Sequence, residues 1–300
     1  MLRGVRGMWF AGLSKQHNRT KAEFLMLQFD AETTAILENG YLGADVTARR
    51  RASFDALGPL PGETILDLGC GNGLLTLDLA RAVGPQGRVI GVDPSADMLN
   101  VARKRLEGFD NIALEEGLAD ALPLADAQID RAVSVQVFEY IDDRIGALTE
   151  IRRVLKPGGV AVVADMNFDM FSWVSDDAAR MDRMKTAWDS HLAERDTGAL
   201  LPAEFRAAGF AGVEVVPFTI VDPVLRPDGL AQMMMILMRR YAIENDLMPA
   251  AEANAWYDEQ VALAAEGRFF FRWRRWWCQG ASPDGSAHRG KRIEDKEQRQ

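Results

Sequence analysis

Between Thr64 and Met166 the chain alternates short apolar runs with amphipathic stretches. The runs TILDL (64–68), RVIGVD (88–93), NIALEE (111–116), IDRAVSV (129–135) and GVAVVADM (159–166) have the length and β-branched content of buried strands. LLTLDLA, SADMLNVARKRLEGF and DDRIGALTEIRRVLKPGG repeat apolar positions at helical spacing, and Pro157-Gly158-Gly159 ends the last of them. Strand runs separated by helices predict an α/β fold: a doubly wound sheet with helices on both faces. The rhythm breaks over 167–200, rich in Asp, Met and Trp, and LPAEFRAAGF then restores a helix that stops at Gly209. GVEVVPFTIVDP adds a sixth strand, 228–266 reads as one long helical stretch, and GRFFFRWRRWWCQG reads as a seventh strand, antiparallel to the rest. The pattern divides the chain into an N-terminal helical cap (1–50), a main domain (51–280) with helical insertions at about 167–200 and 228–266, and a polar, aperiodic tail (281–300) expected to be disordered.

Composition narrows the chemistry. With 48% hydrophobic residues the chain can bury a sizeable core, and a formal net charge of −9 argues against nucleic acid, whose phosphates need clustered Lys and Arg. No apolar run is long enough to span a bilayer, and the basic opening MLRGVRGMWFAGLSKQHNRTK lacks the continuous apolar segment of a signal peptide. The two cysteines, Cys70 and Cys278, lie far apart, which excludes a disulfide framework and a cysteine-rich metal site. A reducing cytoplasm is the expected compartment, and no metal is expected.

The informative stretch is ILDLGCGNGLLTLDLA, Ile65 to Ala80. In a doubly wound sheet the ligand sits beyond the carboxyl ends of the strands, beside the first. Gly69, Gly71 and Gly73 allow a ligand to approach the main chain. A dinucleotide fingerprint Gly-x-Gly-x-x-Gly needs its third small residue at 74, where this chain has Leu74. Asp67, just before the glycines, favours an ammonium or sulfonium ligand and repels a pyrophosphate. Asp93 ends the second strand about 20 residues further on, the spacing at which a carboxylate grips ribose hydroxyls. Together these residues point to an adenosine-type, cationic ligand.

LDLGCGNG, GVDPSADML, GLADALPLADAQIDRAVSV and IRRVLKPGG resemble the successive motifs of class I S-adenosylmethionine-dependent methyltransferases. The small-molecule branch that includes the ubiquinone and menaquinone methyltransferases is the most similar, over about residues 40–220. The resemblance implies a Rossmann-like fold and S-adenosyl-L-methionine as cofactor. It implies that Gly69, Gly71 and Gly73 run beneath the methionine part, with Asp67 near its amino group and Asp93 on both ribose hydroxyls. Pro94 and Met98 lie near the adenine in this reading. The acid that binds the adenine amino group in the family is replaced here by Leu118; Asp120, or main-chain groups around Ala119, are expected to take over.

The fourth motif, SVQVFEYI, faces the reacting centre in this fold. Ser134, Gln136, Phe138 and Tyr140 are candidates to line it, and Val135 and Val137 are expected in the core. Glu139 and His191 are candidate catalytic groups, His191 as general base for a hydroxyl acceptor. The Met-rich LAQMMMILMRRYAIENDLM is apolar on nearly every side, as expected for core packing, a homodimer contact or a lid over a greasy substrate. The activity this predicts is O- or C-methylation of a small, apolar or aromatic acceptor. Methylation of protein or RNA, or an inactive cofactor-binding partner protein, are the alternatives.

Overall fold

A computed structural model describes residue 37 and residues 40–283, so most of the expected N-terminal cap and nearly all of the tail lie outside the described residues. The chain runs α1 (Ala44–Leu57), β1 (Thr64–Leu68), α2 (Leu74–Val83), β2 (Arg88–Asp93), α3 (Ala96–Arg105), β3 (Ile112–Glu116), β4 (Ile129–Val135), α4 (Arg144–Val154) and β5 (Leu155–Met166). The second half holds β6 (Ser172–Trp173), α5 (Ala178–Asp189), α6 (Thr197–Ala207), β7 (Ala211–Asp222), α7 (Leu230–Glu244), α8 (Ala250–Ala265) and β8 (Phe271–Ala281). The sheet is ordered β3-β2-β1-β4-β5-β8, and β7 pairs with the far side of β8. β1 to β5 are parallel; β8 is antiparallel to β5 and to β7.

Alternate residues of the central strands feed opposite faces. Leu66, Ala132 and Val163 pack with Leu148, Ile151, Leu201 and Phe205 of α4 and α6. Ile65, Val133 and Val162 pack with Leu57, Leu75 and Leu79 of α1 and α2. Such burial on both faces is why these strands read as continuous apolar runs. Side-chain caps fix three helix starts: Ser95 Oγ accepts from Met98 N (3.3 Å), Asp143 Oδ1 from Gly146 N (2.8 Å) and Asp177 Oδ1 from Arg180 N (2.9 Å).

A further core lies among α5, α7, α8 and the start of β8, where Met233, Met234, Met235 and Met238 are buried with Trp256, Phe271 and Trp273. Each such side chain contributes about 1.5–3 kcal/mol by leaving water. The Met run of α7 is therefore spent on packing within the chain. Two expectations need correction. The long helical stretch is two helices, interrupted where Asp246 turns left-handed (φ 54°) and Pro249 caps α8. Among the described residues the sheet has eight strands, the extra one being β6, whose two residues pair with Arg272 and Phe271 and carry too little pattern to be legible. Among the described residues no helix is long and apolar enough to cross a membrane.

Candidate active site

The loop between β1 and α2 is pinned to β2: Gly69 N and Cys70 N both donate to Val92 O, at 2.7 and 3.1 Å. Gly69 has φ 70°, and a Cβ there would lie 2.1 Å from Val137 Cγ2, so no other residue fits. Gly71 also has a positive φ, 52°, but a Cβ there would meet nothing within 4 Å, because it faces open space. Its amide donates to Asp93 Oδ2 at 2.8 Å, while Asp93 Oδ1 accepts from Ser95 N at 2.9 Å. One carboxylate thus fixes the loop and the start of α3 together. Each of its oxygens has a second lone pair left to accept from a ligand.

Asp67 is 2% exposed and accepts from Thr76 Oγ1 at 2.7 Å. It has no cationic partner among the described residues, and burial pushes its pKa up to about 7. Asp93 is shifted up as well, again by burial. Two desolvated acids beside a bare main chain form a site that a cation would stabilise.

Both acids line a cavity of about 330 Å³ at the carboxyl ends of the strands, with Gly69, Gly71, Pro94, Met98, Ala119 and Gln136 among the other lining residues. Gly73 is not in the lining; it caps the start of α2. Asp120 sits outside it on an exposed turn, whereas Leu118 and the backbone at Gly117 and Ala119 face in. The alternation expected after β4 is also corrected. Gln136 takes a left-handed conformation (φ 59°) and donates its amide to Ala164 O at 2.9 Å, which breaks strand alternation. As a result Val135, Val137 and Tyr140 line the cavity, while Ser134 and Phe138 are buried behind it.

His191 is likewise out of the lining and 2% exposed, packed against Trp188, Tyr241 and Tyr140 at ring distances of 4.0, 5.4 and 5.7 Å. Its Nδ1 is bonded to Trp188 O, and burial pushes its pKa down to about 4. It packs behind Tyr140, outside the cavity lining, which corrects its expected place beside the reacting centre. Glu139 is no surface acid: it is 2% exposed, and burial and the neighbouring Asp165 hold its carboxyl well above the usual range. None of the four α7 methionines reaches the cavity, which removes the lid reading for them.

The methyltransferase-domain family model matches residues 60–207. A demethylmenaquinone methyltransferase of Staphylococcus carnosus is 34% identical over 176 residues, covering 53% of this chain and 72% of that protein. The chain belongs to the class I S-adenosylmethionine-dependent methyltransferase family. An uncharacterized 37.1 kDa protein in transposon TN4556 of Streptomyces fradiae is 36% identical over 224 residues, 72% of this chain. The chain spans 62% of that protein's length, and about half (46% and 47%) of two other demethylmenaquinone methyltransferases it matches. Phosphoethanolamine N-methyltransferase 2 of Haemonchus contortus, solved in complex with S-adenosyl-L-methionine, shares the fold. Its TM-score is 0.59 at 16% identity, covering 89% of this chain and 61% of that one.

The cavity fits the family's cofactor. Asp67 is a buried acid with no cationic partner among the described residues, which suits a ligand bearing an ammonium, and each Asp93 oxygen keeps a lone pair that could accept from a hydroxyl. At Gly71 there is no side chain to block the approach.

Three lining groups, and two buried groups behind the lining, lie beyond the recognised motifs. Tyr41, Arg49 and Arg50 reach the cavity from α1 and the turn before it, and Asp165 and Arg275 lie buried near its β4–β5 end. The signal for the two buried arginines was positional. Arg49 falls in the inward stripe Val46, Arg49, Ser53, Leu57 of α1, and Arg275 on the inward parity Phe271, Trp273, Arg275, Trp277 of β8. An arginine where the pattern demands an apolar residue is a flag.

Proposed function

We propose that this chain transfers the sulfonium methyl group of S-adenosylmethionine to a small, largely apolar acceptor, by O- or C-methylation. The observation that carries the reading is the pairing of Asp67, a buried acid with no cation of its own, with Asp93, held open to a ligand by Gly71 and Ser95. In this reading Asp67 holds the cofactor's ammonium, Asp93 its ribose, and Met98, Pro94 and the backbone around Ala119 its adenine. The bound cofactor supplies an electrophilic methyl group. The protein's contribution is alignment of the acceptor with it, which in favourable models supplies on the order of 7–11 kcal/mol.

The apolar wall formed by Val46, Val135, Val137 and Ile141 supports a small organic acceptor, in keeping with relatives named for demethylmenaquinone. Among the described residues no histidine lines the cavity, and burial holds the Tyr140 phenol protonated, far above its usual range. An acceptor that is already ionised, or nucleophilic at carbon, suits such a site best.

Calorimetric titration with S-adenosylhomocysteine tests the reading. Micromolar binding is expected, with no binding of NADH. Asp93→Ala should weaken it about 10- to 100-fold, since a hydrogen bond to a charged group contributes roughly 1.5–3 kcal/mol. Tight NADH binding with none of the sulfur cofactor would sink the proposal.

A further inference from the structure

Near the β4–β5 end of the cavity two buried guanidiniums, Arg49 in the lining and Arg275 behind it, keep donors unpaired among the described residues. Arg49, 5% exposed, lines the cavity; Arg275, from β8, is 2% exposed. Among the described residues Arg49 Nη1 and Arg275 Nε and Nη1 have no hydrogen-bond partner, and neither side chain forms an ion pair. Arg275 spends one donor, Nη2, on Ala164 O. Arg49 rests on rings instead, 5.5 Å from that of Trp273 and 5.9 Å from that of Tyr41. Burying a guanidinium with its N–H groups unpaired is strongly unfavourable, so a site that keeps two of them is built for an acceptor of hydrogen bonds.

The surrounding charges narrow what that is. Asp165 is already committed to the amides of Phe138 (2.8 Å), Met166 (3.0 Å) and Val137 (3.3 Å). Glu139, beside it, keeps Oε2 unpartnered and holds its proton, because burial and Asp165 both oppose its ionisation. Two guanidiniums face two carboxyl groups, of which burial and Asp165 keep Glu139 from ionising, so positive charge is in excess. The two guanidiniums also repel one another, which an anion near both relieves. A monoanion offsets this excess; a phosphate dianion brings more charge to the same two carboxyl groups. The flat guanidinium edge matches a carboxylate with two parallel bonds.

We propose that the acceptor is a small monocarboxylic acid with an apolar or aromatic body, held through its carboxylate by Arg49 with Arg275 behind it. This rests on the methyl-transfer reading. The cofactor carries a carboxylate of its own, and Arg50 lines the cavity as well. It is tied to Asp78 of α2 (3.1 Å) and to Tyr41 O (3.2 Å), next to the glycine loop. Arg49 lies among Tyr41, Glu139, Asp45 and Arg50, so its assignment to the acceptor is decided by whether Arg49→Met keeps the sulfur cofactor.

The test is titration of the wild-type chain, with and without S-adenosylhomocysteine, against acid and amide pairs: benzoate and benzamide, phenylacetate and phenylacetamide, indole-3-acetate and its amide. Inorganic phosphate is the control anion. At least one acid should bind tenfold or more tighter than its amide, and phosphate should not compete with it. Arg49→Met and Arg275→Met should each abolish the preference while binding S-adenosylhomocysteine within threefold of wild type. The proposal is overturned if no pair shows the tenfold preference, or if phosphate displaces the acid. It is also overturned if Arg49→Met loses the sulfur cofactor, which would assign that arginine to the cofactor. The wild-type comparison decides even where a variant fails to fold. A chain that binds no S-adenosylhomocysteine defeats the methyl-transfer reading, and the titration without it still decides this one.

Discussion

At the β1–β2 end of the cavity, Asp67, the glycine loop and Asp93 come from one continuous stretch of chain, and main-chain hydrogen bonds set their positions. At the β4–β5 end, Tyr41, Arg49, Glu139, Asp165 and Arg275 come from four distant regions, and only packing of α1 and β8 against the sheet brings them together. The first end is stiff and uses backbone geometry that admits one residue type. The second is a cluster of side chains whose electrostatics depend on one another. The difference teaches where a ligand's fixed part and variable part belong: an invariant cofactor suits a locally encoded cradle, and an acceptor suits a surface assembled from the tertiary fold.

The largest effect that would break this contrast is at Gly69. Gly69→Ala combines a left-handed backbone with a Cβ 2.1 Å from Val137 Cγ2. Affinity for S-adenosylhomocysteine should fall at least ~100-fold, about 2.8 kcal/mol. Gly71→Ala faces open space and carries only the backbone penalty, roughly 1–2 kcal/mol. Adding Val137→Ala to Gly69→Ala should recover part of the loss, measured as a coupling energy in a double-mutant cycle. Equal losses at the two glycines would mean that the cradle is not held against the β4 loop at all.

That local encoding is why the first end could be read directly from ILDLGCGNG and GVDPSADML. The strands β1 to β5 and the helices α2, α3, α4 and α6 followed from the same periodicity. The second end could not be read in this way. Gln136 breaks the strand alternation by turning left-handed, so Val135 and Val137, expected in the core, line the cavity together with it, and Ser134 is hidden. His191 looked like a base because it is the sole histidine of three outside the terminal regions. Its burial among Trp188, Tyr241 and Tyr140 depends on α5 and α7, whose packing no short motif records.

The next effect is pH. Asp67 titrates near 7 in the folded chain, above the ~3.9 of an unfolded aspartate. Its contribution to stability is therefore present below pH ~4 and is lost as pH rises through about 7, where a buried charge must form. A ligand ammonium reverses that penalty and draws the proton off. Binding of S-adenosylhomocysteine should tighten about tenfold per pH unit up to about 7 and then level off, with proton release seen as a buffer-dependent calorimetric enthalpy. Asp67→Asn should flatten the profile. A wild-type affinity that does not change between pH 5 and 7 would remove Asp67 from ammonium binding.

His191 sharpens the comparison through stability instead of chemistry. His191→Ala removes a ring packed on three aromatic neighbours and should lower unfolding stability by roughly 2–3 kcal/mol in a urea titration. Affinity for S-adenosylhomocysteine should stay within threefold. A variant as stable as wild type that loses single-turnover methyl transfer would return His191 to the chemistry.

The smallest effects are at the adenine side, where this chain departs from its family. Asp120 is exposed and outside the cavity, so Asp120→Ala should change cofactor affinity by less than twofold. Leu118 is 59% exposed yet faces the cavity where the resemblance implies an acid. Leu118→Asp would offer a carboxylate to the adenine amino group at a position still open to water. A single hydrogen bond there adds about 0.5–1.5 kcal/mol, a gain of roughly two- to tenfold. The gain should appear for S-adenosylhomocysteine and vanish for an analogue whose purine lacks the amino group. If Leu118→Asp weakens binding, the apolar side chain itself packs on the base and the backbone around Ala119 already satisfies the amino group. If Asp120→Ala costs a decade of affinity, the turn folds inward when the cofactor binds. The β1–β2 end would then also be completed by a rearrangement of its side chains, and the contrast between the two ends of the cavity would narrow.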